Sequence, residues 1–513
     1  CEMQARTTAG WVCGTRRRAS NGDYYASFRG VPYAKQPLGD LRFKELEPPE
    51  KWSGILDASK EGPICPQTDV FYGKLVYPAR QMSEACIHAN IHVPASAGDL
   101  MQWSDEHRNK TGLPILVFIH GGGFAFGSGD ADLHGPEYLV SKGVIVITFN
   151  YRLNVFGFLS LDSPLVPGNN GIRDARTLLR WVRDNAARFG GDAARLTLAG
   201  QSAGGAIAHV LSLAPDAPLL MARVMVLSGT GFSDFFSSSP VFARIISGQL
   251  LGMLGINPAQ SPAEVHQQLV KTPLEKIMEA NAKLIDIFGL TTFTPVVESV
   301  HEGVTPVLVE DPEVLISRGR GRCLPLVVGY TSAECESFRP RFEAIDVLSM
   351  FRASPQLLVS PRLTFMAPTD KLAGIFDQIT EIYFNKSINM DSFVQYCSDA
   401  YYMYPAMKLA MLRQGPAAAS TTLYRFAAAG HHSPLKEAFG ISFEGTGHVE
   451  DITYMFRPNA ALAARPARHA LRDLQLVTNV TDFVVQFMSA PAENCARLVQ
   501  TRVHGAVTAR EWR

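Results

Sequence analysis

Short apolar runs and amphipathic segments alternate through the middle of the chain. Uninterrupted apolar runs of this length are typical of strands buried on both faces of a parallel sheet. An amphipathic helix is predicted at 174–189, where apolar residues recur among charged ones, and a second helix at 205–213. Because strand, helix and strand recur in this order, we predict an α/β fold, a mostly parallel twisted sheet wrapped by helices. The predicted strands are 114–120, 143–150, 196–199, 223–227, 324–330 and 422–426.

Less regular segments flank this core. Residues 25–34 mix strand formers with turn residues, which predicts a peripheral β segment. The basic run Arg16-Arg17-Arg18 lies in a polar stretch, and we interpret it as a solvated turn. Between 232 and 321 the pattern becomes helical, so we expect a helical insertion or lid there. Its helix candidates are 241–254, 263–269 and 274–284.

Composition and charge exclude several classes of partner. Hydrophobic residues make up 46% of the 513 residues, which is ample for a large buried core. Lys plus Arg and Asp plus Glu both number 48, so no global field favours nucleic acid or an anionic membrane. The longest apolar runs, such as 144–149, fall far short of the ~18 residues that a membrane span needs. A small neutral or apolar partner fits this chain better.

The cysteines and sequons bear on the compartment. Cys65 and Cys86 lie in a loop-rich region, and we expect a disulfide that stabilises by roughly 3 kcal/mol on the loop-entropy estimate. Two buried thiols are the alternative, which a cytosolic location would favour. Sequons at Asn109, Asn385 and Asn479 permit glycosylation in a secreted protein. No Cys/His spacing resembles a zinc site, so we expect neither metal nor cofactor.

The pentapeptide Gly200-Gln201-Ser202-Ala203-Gly204 is the first candidate for chemistry. It lies between a predicted strand and a predicted helix, the context of a nucleophile elbow. Glycines relieve crowding where a strand turns sharply into a helix, and the turn presents the serine hydroxyl at the sheet edge. Ser202 is therefore the candidate nucleophile. The alternative is a serine in an ordinary glycine-rich turn.

A serine nucleophile needs a base, and that base needs an acid to orient it. Glu334 follows the strand at 324–330, where the acid of such a site is expected, and Glu336 is the nearest competitor. His448 lies in the glycine-rich loop 445–451, where the backbone can place an imidazole freely. The adjacent pair His431-His432 is the alternative base.

A second glycine-rich loop supplies candidate donors for an oxyanion. Gly122 and Gly123 follow the strand that ends at His120, and Ala203 follows the candidate nucleophile. Their three backbone N–H groups suit the HGGG-type arrangement that stabilises an acyl-transfer transition state. We therefore predict an oxyanion hole at these residues. A glycine-rich turn without a role is the alternative.

Four strings resemble one known family over nearly the whole chain: 83–90, 120–124, 189–192 and 200–205. They are similar to the type-B carboxylesterase/cholinesterase family. The resemblance implies an α/β-hydrolase fold, a single domain over 1–513, and helical insertions, roughly 232–321, that form a lid over a deep gorge. It also implies a Ser202, Glu334, His448 triad and the oxyanion hole described above, so it reaches the same residues as the spacing argument.

Within that family, residues 42–43, Gln201, 332–339 and 445–451 look most like the insect juvenile hormone esterases. Those enzymes are secreted and hydrolyse the methyl ester of a sesquiterpenoid hormone. The resemblance implies a secreted serine esterase, expected to be a monomer, whose substrate is juvenile hormone or a similar small apolar ester. Two alternatives are a general detoxifying carboxylesterase and a non-catalytic binding protein that keeps the fold.

Departures from the family pattern narrow the substrate. Gln201 stands where cholinesterases have Glu, and Val76 lies near the position of their choline-binding Trp. A quaternary ammonium would lose its counter-charge and its aromatic face, so choline esters are disfavoured. The tail after Phe487 lacks the expected Trp-Pro segment, so the last helices are expected to differ from the family. Candidate pocket residues for an apolar acyl chain are Phe124, Gln201, Phe232, Phe235, Phe236, Phe288, Thr292 and Phe293.

Overall fold

The structure is a computed structural model of the 513-residue chain. It describes residues 1–77, 80–94, 112–289, 292–354, 358–359, 364, 368–385, 388–415, 418–428, 430, 432–464, 471–490 and 507–512.

Fourteen strands are found in the described part of the chain, and twelve of them form one sheet. The order across the sheet is β1-β2-β3-β5-β7-β6-β10-β11-β12-β13-β14, with β4 beside β2, while β8 and β9 form a separate pair. Their bounds are β1 Met3–Arg6, β2 Trp11–Arg18, β3 Tyr24–Pro32, β4 Ile55–Asp57, β5 His88–Pro94, β6 Leu113–Ile119, β7 Ile145–Phe149, β8 Ser160–Ser163, β9 Val166–Pro167, β10 Gly191–Gln201, β11 Arg223–Leu227, β12 Leu326–Thr331, β13 Thr421–Phe426 and β14 Val507–Trp512.

The sheet is antiparallel from β1 to β7 along this order and parallel from β7 to β14. Its parallel part contains the predicted apolar strands, which are buried on both faces. The carboxyl ends of β6, β10, β12 and β13 therefore lie along one edge. This edge is where ligands of open α/β sheets bind.

Helices cover both faces of the sheet. Their bounds within the described residues are α1 Glu137–Val140, α2 Asn154–Phe158, α3 Asn170–Asn185, α4 Ala203–Ser212, α5 Ala217–Leu220, α6 Pro240–Leu254, α7 Pro262–Lys271, α8 Leu274–Phe288, α9 Pro312–Ser317, α10 Arg339–Ala344, α11 Val347–Ala353, α12 Thr369–Ile379, α13 Met390–Ser398, α14 Tyr404–Leu412, α15 Pro434–Phe439, α16 Asn459–Ala464 and α17 Leu471–Ser489.

Two local predictions need correction. The turn predicted at Arg16-Arg17-Arg18 is wrong, because these exposed residues end strand β2. They pair with β3, and the guanidinium of Arg16 lies 4.5 Å from the ring centre of Tyr24. The helix predicted at 174–189 begins earlier, at Asn170, whose buried side-chain amide donates to Phe43 O at 2.6 Å. Contacts with distant residues thus lengthen strand β2 and helix α3 beyond the bounds that their polar local sequences predict.

The segment between β11 and β12 contains α6, α7, α8 and α9. Ser239 and Ser261 cap α6 and α7, and a proline follows each serine. The side chain of each serine accepts a hydrogen bond from a backbone N–H of the first helical turn. A buried ion pair holds this segment to the core: Arg173 Nη2 on α3 lies 2.8 Å from Glu298 Oε2.

The predicted disulfide between Cys65 and Cys86 is present, with the Cα atoms 5.0 Å apart. Further disulfides join Cys1 to Cys13 and Cys335 to Cys397. Among the described residues, none of the helices is long and apolar enough to cross a membrane. The same residues contain no group of three or more His, Cys, Asp or Glu that could hold a metal ion.

Candidate active site

Ser202 lies at the sharp turn between β10 and α4, with φ 58° and ψ −126°. Glycine is required beside it because the backbones touch. A Cβ on Gly200 would lie 2.1 Å from Gly204 O, and a Cβ on Gly204 would lie 2.1 Å from Ile119 O. The local sequence therefore folds as the predicted elbow at the carboxyl end of β10.

Glu334 and His448 meet although 114 residues separate them. Glu334 Oε2 lies 2.6 Å from His448 Nδ1, and both side chains are almost fully buried. The carboxylate is held in place because Glu334 Oε1 accepts a hydrogen bond from Thr331 N at 2.7 Å. The His448 loop is held because His448 N donates to Glu334 O at 3.2 Å. This arrangement fixes the proton of a neutral imidazole on Nδ1 and places a lone pair on Nε2.

The alternative acid and base have other partners. Glu336 accepts hydrogen bonds from the Arg339 guanidinium at 2.7 and 2.9 Å. His432 is half-exposed, with Nδ1 3.1 Å from Glu437 Oε1. His431 lies outside the described residues.

The three predicted oxyanion donors are at the same edge of the sheet. Gly122 and Gly123 both have positive φ, 115° and 60°. A Cβ on Gly122 would lie 1.9 Å from Phe126 O, so no other residue fits there. Neither glycine N–H donates a hydrogen bond to another described residue. Ala203 opens α4, where the first N–H groups of a helix have no partner within it.

Aromatic side chains form a continuous wall from the glycine loop to the base. The ring of Phe124 lies 6.2 Å from Phe236, which lies 5.0 Å from Phe235 and 5.8 Å from Tyr402. Tyr402 in turn lies 4.9 Å from the His448 ring. We call Phe124, Phe235, Phe236 and Tyr402 the aromatic wall.

The other pocket candidates have different surroundings. Phe232 packs against His209, with ring centroids 5.5 Å apart. The Thr292 hydroxyl donates to Gly289 O at 2.5 Å, and Phe293 is buried in the core. Phe288 contacts Phe242 at 6.0 Å. Gln201 is fully buried, and its side-chain nitrogen lies 3.1 Å from His448 Nε2.

Comparison with known proteins shows which family has this arrangement. The model of the carboxylesterase family matches residues 2–508. The chain is 52% identical to the juvenile hormone esterase of Heliothis virescens over 93% of this chain and 84% of that protein. Its structure matches that of juvenile hormone esterase from Manduca sexta, with OTFP covalently attached, at 50% identity and a TM-score of 0.90, covering 99% of this chain and 95% of that one.

The chain belongs to the carboxylesterase family. The α/β-hydrolase fold and the class of serine carboxylester hydrolase predicted from the sequence are thereby confirmed. A PNB esterase structure, 25% identical over 96% of the chain with a TM-score of 0.73, shares the fold.

Sequence reasoning missed two rings that pack against His448. Tyr402 packs on one side of His448, and Phe338 lies 5.2 Å from the same ring. Tyr402 belongs to a single π-helical turn, 399–403, a feature often found at functional sites. Its hydroxyl is buried without a hydrogen-bond partner in the described part of the chain. No motif marks either ring, since aromatic residues are common in any core.

A second buried carboxyl of this carboxylesterase was also missed. Asp451 accepts hydrogen bonds from Tyr424 Oη at 3.1 Å and from Ile452 N at 3.0 Å. Burial, followed by the charge of Glu334, raises the pKa of Asp451 to about 7. Its position three residues after His448 was the available signal.

Proposed function

We propose that this chain hydrolyses juvenile hormone to the free acid and methanol, with Ser202, His448 and Glu334 as the catalytic triad. The assignment of the substrate rests on the 52% identity to the Heliothis virescens juvenile hormone esterase over 93% of the chain. The contact between Glu334 and His448, together with the elbow at Ser202, supports the assignment of roles.

The reaction has two stages. His448 Nε2 removes the proton from Ser202 Oγ as that oxygen attacks the ester carbonyl, and the N–H groups of Gly122, Gly123 and Ala203 stabilise the oxyanion. The tetrahedral intermediate collapses, and methanol leaves with the proton from His448. Water then attacks the acyl carbonyl while His448 takes its proton. The bond between Ser202 Oγ and the acyl group breaks, His448 returns the proton to Oγ, and the acid leaves. Glu334 stabilises the imidazolium in both stages.

A neutral, apolar ester suits the surroundings of Ser202. The aromatic wall makes the region between the glycine loop and His448 apolar. The residue before the nucleophile is an uncharged glutamine, so it provides no counter-charge for a cationic substrate. These features favour a terpenoid ester over a choline ester.

We also propose that the protein is secreted and acts as a monomer. The disulfides Cys1–Cys13, Cys65–Cys86 and Cys335–Cys397 support an oxidising compartment. Of the sequons, Asn385 and Asn479 are exposed, so both remain candidates for glycosylation, whereas Asn109 lies outside the described residues.

Competing hydrolysis tests the substrate. One preparation is assayed with juvenile hormone, naphthyl acetate and acetylthiocholine, and we expect the highest kcat/KM for juvenile hormone and the lowest for acetylthiocholine. If naphthyl acetate is cleaved quickly and juvenile hormone is ignored, the protein is a general detoxifying carboxylesterase instead.

Covalent labelling by an organophosphate tests the nucleophile. We expect wild type to be labelled and Ser202→Ala not to be labelled. Ser212→Ala on α4 is the matched control, since Ser212 is also buried but its hydroxyl donates to His209 O at 2.6 Å. Labelling that persists in Ser202→Ala would assign the nucleophile elsewhere. A wild type that is not labelled would indicate a non-catalytic binding protein.

A further inference from the structure

The side chain of Gln201 contacts the base itself. It is fully buried, and its Nε2 lies 3.1 Å from His448 Nε2. The amide oxygen Oε1 packs closely against Gly121, since a Cβ on Gly121 would lie 2.5 Å from Gln201 Oε1. That oxygen is buried and accepts no hydrogen bond from any described residue. Gln201 therefore has one polar contact of its side chain in the described structure, and this contact is to His448.

The direction of this hydrogen bond follows from the other side of the ring. His448 Nδ1 lies 2.6 Å from a Glu334 carboxylate oxygen, so Nδ1 carries the proton in the neutral imidazole. Nε2 then holds a lone pair, and the group that faces it must donate. Gln201 is the donor.

The same lone pair is the one that a base at this position must offer to Ser202. No hydrogen bond joins Ser202 Oγ to His448 among the described residues, whereas Gln201 occupies Nε2. A hydrogen bond donated to the lone pair stabilises the uncharged imidazole and opposes its protonation. It also competes with the serine hydroxyl for the base.

We propose that Gln201 is a positioning residue that donates to His448 Nε2 in the free enzyme and gives up this nitrogen to Ser202 when the ester binds. This inference rests on the proposed role of His448 as the catalytic base. A glutamate at this position could not donate to Nε2, and its negative charge would favour the protonated imidazole.

Other ionisable groups face the same imidazole and must be held constant. Glu334 lies against Nδ1, Asp451 lies near both, and the phenols of Tyr402 and Tyr424 interact with Glu334. In the base's own loop, Glu450 accepts from Gly447 N, and the Lys436 ammonium donates to Gly445 O. A change confined to Gln201 leaves all of these groups in place, so the difference between variants reports on the amide.

The test is the pH dependence of kcat/KM for naphthyl acetate. The acid limb of this profile, where activity falls with falling pH, reports the base of the free enzyme. Gln201→Met keeps the size of the side chain and removes the donor. We expect the acid limb to move to higher pH by about 0.5 to 1 unit, the shift that matches a typical net hydrogen bond. An acid limb that stays in place or moves to lower pH would overturn the proposal, even if the rate falls at every pH.

Two further variants separate the possible outcomes. Gln201→Glu also removes the donor and adds a negative charge. Its acid limb is therefore expected to move to a higher pH than that of Gln201→Met. If the methionine variant does not fold, an unmoved acid limb in Gln201→Glu contradicts the proposal. Gln67→Met is the matched control, because Gln67 is a buried glutamine whose amide binds Cys65 O and Gly127 O, and its acid limb is expected to stay in place.

Failure of this inference is distinguishable from failure of the proposed function. Labelling that survives Ser202→Ala would refute the triad whatever the pH profiles show. An unmoved limb in both Gln201 variants, with labelling lost in Ser202→Ala, would refute the role of Gln201 alone.

Discussion

Ser202 has a backbone conformation that few residues other than glycine adopt, with φ 58° and ψ −126°. Neighbouring elements hold it there: Ser202 N donates to Leu227 O at 2.8 Å, and Ala206 N donates to Ser202 O at 3.0 Å. Strain of this kind is worth on the order of 1–3 kcal/mol and persists only where the surroundings over-determine the conformation. The elbow thus presents the serine hydroxyl at the cost of some stability.

This strain predicts the stability of two inactive variants. Ser202→Gly is expected to be more stable than Ser202→Ala by about 1 kcal/mol, because glycine adopts positive φ without a steric penalty. Urea unfolding of both variants, with the same slope, measures the difference. If the alanine variant unfolds at the same or a higher urea concentration, the elbow is not strained.

Helix α3 joins the helical segment between β11 and β12 to the sheet through buried charges. Arg173 Nη2 lies 2.8 Å from Glu298 Oε2, and both side chains are at most 2% exposed. Glu298 Oε1 also accepts from Val307 N at 2.7 Å, and Arg173 Nε donates to Thr305 O at 2.8 Å. Each charge is therefore both paired and hydrogen-bonded, which a buried ion pair requires.

Removing one partner of this pair should be costly. Glu298→Ala leaves the Arg173 guanidinium buried without its counter-charge, and we expect the free energy of unfolding to fall by about 3–5 kcal/mol. The midpoint of urea unfolding measures the change. Lys283→Ala, which breaks the exposed pair with Glu279 on α8, is the control and should leave the midpoint unchanged. An equal effect of both substitutions would show that the buried pair does not anchor the segment.

Buried ionisable groups determine how the whole molecule responds to pH. Burial lowers the pKa of five histidines far below the usual value: that of His88 to about 4, and those of His92, His120, His134 and His209 to about 3. Burial raises the pKa of four carboxyls: that of Asp130 to about 8, that of Asp451 to about 7, and those of Glu137 and Glu450 above the usual value. The histidines and the carboxyls therefore change the stability of the protein with pH in opposite directions.

Their signs predict an optimum of stability near neutral pH. Each buried histidine binds a proton only when the chain unfolds, so stability falls as pH falls below about 6.5. Each buried carboxyl releases its proton only on unfolding above about pH 4, so its contribution to stability is lost as pH rises from about 4 to its folded-state pKa of about 7 or 8. The five histidines outnumber the four carboxyls, so below about pH 6.5 the loss of stability from the histidines should outweigh the gain from the carboxyls. Urea midpoints at three pH values test this: equal or greater stability at about pH 5 than at about pH 6.5 would contradict the prediction.

Local patterns in the sequence determined much of this molecule. Apolar runs predicted the central strands, because burial on both faces demands apolar side chains at every position. Glycines marked the elbow and the loop at Gly122, because backbones approach there too closely for a Cβ. The patterns also singled out Ser202, Glu334 and His448, since each follows a recognisable strand or lies in a recognisable loop, and the structure brings Glu334 and His448 together.

Only the tertiary structure decided which side chains surround the base. Gln201 meets His448 across 247 residues, and Tyr402 reaches the same ring from a third part of the chain. The strand at Arg16 to Arg18 likewise depends on pairing with β3 and on the ring of Tyr24. A local pattern records how deeply a residue is buried and where the chain turns. Contacts between distant segments arise only when their elements pack together, so no local pattern records them.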